Sequence, residues 1–247
     1  MLRIKFSTGR QFSASNSASS PSAKPLVVFV KRHRINIEQQ KRMIEKKIHF
    51  ISGLTLTIFI GLHLFNHTLS IFGADRHIEV MNNLRLFYRN IFVETILLLA
   101  VLVQIISGLK LFRTNRKIAT SHFDKLHIWT GLYLAIFFII HVSAVFGGRF
   151  FLQLDTNFYF GVAGLNSFPF NIFFIPYYGL AILSFFGHIA SVHSKKMKQN
   201  IFGLTPNNQS ISILIFGLVL IIVIFYGLTN EFNGVTIPKE YNVLIGK

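Results

Sequence analysis

The sequence predicts an all-α integral membrane protein, a five-helix bundle with its N-terminus inside and its C-terminus outside. Three observations carry this reading. Apolar residues make up 51% of the 247 positions while charged residues make up only 14%, about half the charged fraction of an ordinary soluble domain. The apolar residues are gathered into long continuous runs, not alternating ones, which favours helices over barrel strands. Five of these runs reach the roughly 20 residues needed to cross a bilayer as helix.

The chain is strongly basic, with 25 Lys and Arg against nine acids and a formal charge of +16. Most cations lie between apolar runs, a pattern of membrane topology and not of a nucleic-acid-binding face. Cysteine is absent, which excludes disulfides, thiolate metal sites, iron–sulfur ligation and cysteine nucleophiles.

Residues 1–47 form a separate zone. No acid precedes Glu38, while Arg3, Lys5, Arg10, Lys24, Lys31, Arg32 and Arg34 are scattered among serines and alanines. Such a leader has the character of a mitochondrial presequence, and Arg10-Gln11-Phe12-Ser13 resembles a processing site. The competing readings are a disordered basic tail and an upstream extension before Met43. The bundle is expected over 48–230, with spans at about 49–73, 91–112, 126–148, 170–193 and 210–228. Residues 231–247 are left as a short outer tail.

Orientation follows from the loops. Lys41, Arg42, Lys46 and Lys47 precede the first span. Arg113, Arg116, Lys117 and Lys125 separate spans two and three, and Lys195, Lys196 and Lys198 follow span four. These loops should face the cytoplasm or matrix. A mitochondrial membrane is the favoured location, a bacterial cytoplasmic membrane the alternative.

Ionisable groups inside spans are costly and therefore point to function. His63 lies 14 residues beyond His49 in the first span, and His141 lies 14 beyond His127 in the third. Because spans one and three run in the same direction, His63 and His141 reach a similar height, roughly 20 Å above the inner end. Two neutral imidazoles on neighbouring helices suit the axial positions of one haem b iron. His67, four residues on, either competes as ligand or bonds a haem propionate. Arg85, Arg89 and Arg149 are further propionate candidates on the outer side. At the inner end, His49, Gln104, His127 and His188 form a possible polar site for a quinone; the competing reading is interfacial snorkelling by His49, His127 and His193.

Several short segments, in order, resemble the five-helix cytochrome b anchor of succinate dehydrogenase and fumarate reductase complexes. They are Ile48-His49-Phe50-Ile51-Ser52-Gly53, Leu62-His63-Leu64-Phe65-Asn66-His67, Gln104-Ile105-Ile106-Ser107-Gly108, Trp129-Thr130-Gly131 with Ile140-His141-Val142, and Phe186-Gly187-His188. That resemblance implies ligands at His63, His141 and His188, but Gln104 stands where the second span should supply a histidine, which argues against a second haem. Leu84-Arg85-Leu86-Phe87-Tyr88-Arg89 followed by Glu94, and the connection carrying Arg149 and Asp155-Thr156-Asn157-Phe158, are also similar to fungal mitochondrial Mcp-type membrane proteins.

Two functions follow as expectations. One is a haem-binding membrane anchor for electron transfer or quinone positioning, with flavoprotein and iron–sulfur subunits as partners. The other is a non-enzymatic mitochondrial protein of haem or lipid homeostasis or organelle contact. A non-catalytic membrane anchor or haem-binding subunit is expected rather than an enzyme by itself. A small transporter fits less well, since no paired broken helices or inverted repeat stand out. The bilayer is the one partner required by composition; nucleic acid is not expected.

Overall fold

The computed structural model describes residues 24–247. Packing divides the chain into a segment ending at Ile44 and a body from Glu45 to Lys247. Helix α1 spans Lys24–Thr68, α2 Ala74–Tyr88, α3 Ile91–Asn115, α4 His122–Phe146, α5 Phe158–Val162, α6 Asn171–Lys196 and α7 Pro206–Leu228. Among the described residues there is no regular strand, only an isolated bridge between Ile201 and Leu204. Helices α1, α3, α4, α6 and α7 are long and apolar enough to cross a membrane. They carry their apolar side chains largely on the outside, as lipid permits and water would not. This is an integral membrane protein.

The five spans fall within a few residues of the expected ones. The leader differs: helix α1 already begins at Lys24, inside the zone set apart by composition. The run from Glu38 to Lys47 is rich in Glu, Gln, Lys and Arg, all good helix formers, so nothing stops the helix before the apolar stretch. The processing-site motif at Arg10-Gln11-Phe12-Ser13 lies outside the described residues.

Local chemistry sets the helix starts. Asn90 accepts from the Phe92 backbone N–H at 3.0 Å to open α3. Ser121 and Asp124 form a reciprocal capping box on α4. Thr205 caps α7, with Pro206 at its first position.

Backbones approach closely between α3 and α4, α4 and α6, and α6 and α7. Where α6 meets α7, a side chain at Gly217 would collide with Phe186 at 2.7 Å; close contact through small residues is how helices associate in lipid. A buried apolar cluster forms at one end around Leu64, Phe158, Val162, Phe185, Ile224 and Leu228.

That end is capped. A 3₁₀ turn over Leu69–Phe72 leads through Gly73 (φ 97°) into α2. A π-turn over Gly147–Phe151 ends the third span. The C-terminal segment, expected as a plain tail, returns to pack: Tyr241 and Ile245 are buried, and the Tyr241 hydroxyl bonds Asp155 O (3.0 Å) and Asn157 Oδ1 (2.9 Å).

Candidate functional site

Between α1 and α4 lies a cavity of about 340 Å³, at the lower end of the usual range for ligand pockets. Its walls are mostly apolar, with Leu56, Phe59, Leu97, Phe138, Ile182 and Phe185 among them. Two imidazoles line it, His63 on α1 and His141 on α4, with ring centroids 6.3 Å apart and planes at 67°. Phe137 stacks on the His141 ring at 5.0 Å and orients it. An imidazole nitrogen binds a first-row metal at about 2.0–2.1 Å, and the centroid lies roughly 1.1 Å behind it, so two rings sharing one metal should be about 6.3 Å apart. The centroid spacing of this pair equals that value, and a common metal would further require a nitrogen of each ring to face the other.

One feature of the donor set opposes such a metal. His63 Nε2 lies 3.1 Å from His67 Nε2, and His67 Nδ1 lies 3.2 Å from His77 Nε2. Asn66 Nδ2 also donates to His77 Nε2, at 3.1 Å. With His77 Nε2 accepting, His67 donates from Nδ1 and accepts at Nε2, so His63 Nε2 carries the proton of this chain. Ligation by His63 requires the His63–His67 bond to open and that nitrogen to present a lone pair.

His77 is the residue that sequence reasoning missed. It sits on α2, outside the spans, yet is only 2% exposed. Its signal was the helical face it shares with Met81 and Arg85, four and eight residues on, both turned toward the cavity. Burial, then His63 and Arg85, lower its pKa to about 4, so it is neutral at physiological pH.

The three predicted arginines converge on the same cavity. Arg85 pairs with Asp155 at 2.9 Å, and its Nε is buried without a partner. Arg149 pairs with Glu94, while Arg89 donates to Thr156 Oγ1 at 3.0 Å. The partner of Glu94 is thus Arg149, carried by the π-turn after α4, and not the nearer-in-sequence Arg89.

At the opposite end of the bundle the remaining predicted residues also meet. His127 stacks on His188 with centroids 4.2 Å apart, and His49 stands 6.5 Å from His188. His49 Nδ1 bonds Ser107 Oγ at 2.7 Å, and Gln104 Nε2 donates to Ser52 Oγ at 2.8 Å and to the His49 carbonyl. Gln104 is thus spent on tying α3 to α1. His127 Nδ1 is buried without a partner. His193, the other histidine expected to snorkel, bonds Gln209 Oε1 at 2.8 Å.

Among the described residues no group of three or more His, Asp or Glu side chains is arranged to hold a metal ion; a porphyrin iron takes only two axial ligands from the protein. No family model, curated protein or solved structure matches this chain.

Proposed function

We propose that the chain is a cytochrome b-like membrane protein holding one haem b between His63 and His141. The observation that carries this reading is the 6.3 Å spacing of two imidazoles across an apolar cavity. When bound, the haem supplies one-electron chemistry. His63 and His141 hold the iron from opposite walls, Phe137 fixes the tilt of His141, and the apolar lining excludes water. His77 Nε2 accepts from His67 Nδ1 and so governs how readily His67 releases His63. At the other end, the unpaired nitrogen of His127 is the group best suited to a quinone oxygen, and flavoprotein and iron–sulfur subunits would supply the electrons.

The second reading is a non-enzymatic role in a mitochondrial membrane, in haem or lipid homeostasis or organelle contact. The His63–His67–His77 chain favours it, because the histidines satisfy one another without a metal.

The full chain, produced with ample haem and purified in mild detergent, tests the first. The first reading expects one low-spin haem b per chain by reduced-minus-oxidised spectroscopy, lost in His63→Ala and in His141→Ala while both variants stay monodisperse. A haem-free wild type, or haem retained at full stoichiometry in both variants, refutes it.

A further inference from the structure

The charges around the cavity do not balance. Three guanidiniums line it, and two carboxylates answer them: Asp155 on Arg85 and Glu94 on Arg149. Among the described residues Arg89 has no carboxylate within ion-pair distance; its side-chain partner is the neutral hydroxyl of Thr156. The Arg85 side chain is only 10% exposed, and its Nε is a buried donor with no acceptor. A buried guanidinium donor left unmatched beside a surplus positive charge is costly in an apolar setting. A ligand oxygen carrying negative charge removes both deficits. Burial, followed by repulsion from Arg85 and Arg149, also lowers the pKa of Arg89, as expected of a cation with too little counter-charge.

The polar and apolar parts of the cavity are segregated. The arginines, Thr156 and Asn157 gather at the capped end, while Phe59, Leu97, Val101 and Phe138 continue along the spans. The two zones together match a molecule with an anionic head and an apolar body.

We propose that Arg85, Arg89 and Arg149 form an anion subsite, with Arg89 as its open contact, for the carboxylate or phosphate head of an amphiphile whose apolar body occupies the cavity. Two sources share this chemistry: the propionates of the haem proposed above, and the headgroup of an anionic lipid. The first source rests on the haem reading; the second does not.

The test uses the full chain in neutral detergent, with four probes: haem, haem dimethyl ester, phosphatidylglycerol and phosphatidylcholine. Haem and its ester are followed by absorbance titration, the lipids by native mass spectrometry. A charge-assisted bond from Arg89 should make haem bind about tenfold or more tightly than the ester. Arg89→Gln should abolish that preference, Arg89→Lys should keep part of it, and Arg76→Gln, which alters an exposed pair with Glu79, should leave it intact. That outcome assigns the subsite to propionates. Equal binding of haem and ester, with phosphatidylglycerol retained over phosphatidylcholine and lost in Arg89→Gln, assigns it to a lipid head. If neither haem nor ester binds, the bis-histidine reading fails and the lipid arm alone decides the subsite. No charge preference in either arm, or one unchanged by Arg89→Gln, overturns the proposal.

Discussion

Gly227→Ala tests how the cap is seated on the bundle. A Cβ at this position would collide with Ser70 Oγ and lie 2.6 Å from Ile71 N and 2.7 Å from Ser70 C. The last two are backbone atoms of the 3₁₀ turn and cannot rotate aside. Overpacking of this kind costs about 1–3 kcal/mol, and the upper end is expected where backbone must move. For a chain of this size each kcal/mol shifts the melting midpoint by about 2–4 °C, so Gly227→Ala should melt about 6–12 °C below wild type. The turn also positions a histidine: Ser70 Oγ donates to the His67 carbonyl at 2.6 Å. Displacing Ser70 should therefore disturb the His63–His67 pair as well. Gly61→Ala is the control, because nothing lies within 4 Å of its Cβ, and its effect should stay within about 1 kcal/mol. Melting can be followed by size-exclusion chromatography of heated, detergent-solubilised samples. Equal midpoints for the two variants would refute the close approach of α7 to the turn.

Two further predictions concern the cap. The pKa of His77 is lowered in the fold, so the unfolded chain binds the extra proton more readily and stability rises with pH. Its contribution, at most about 3 kcal/mol, should be complete above about pH 6.5 and lost as the pH falls toward 4; His77→Gln should lessen the slope of the melting profile across that window by that share, and an unchanged slope would exclude a contribution from His77. Tyr241→Phe removes the hydroxyl that joins the C-terminal segment to Asp155 and Asn157. It should cost about 1–2 kcal/mol and speed proteolysis after residue 229, and a tail as resistant as wild type would show that its apolar contacts alone suffice.

The spans were legible because the constraint behind them is one-dimensional. A bilayer of fixed thickness demands a run of fixed length, and a run can be counted along a chain. The matched positions of His63 and His141 follow from the same counting, since equal offsets on parallel helices give equal heights. Counting could not reach His77, which belongs to a short cap helix whose place over the cavity is set by the turn at Gly73 and by contacts with His67 and Asn66. Nor could it choose between Arg89 and Arg149 as the partner of Glu94, because both lie near the same end and only the π-turn brings one of them within reach.

Hydropathy and loop charge thus determined by themselves that this is a membrane bundle, where its helices run, and which histidines share a depth. Tertiary structure decided what those histidines do with their nitrogens, why the C-terminal segment is buried, and why, among the described residues, one of the three cavity guanidiniums has no carboxylate partner. The physical reason is range. Burial in lipid acts on each segment separately, whereas hydrogen bonds and ion pairs exist only once distant segments have been brought within about 3 Å of each other.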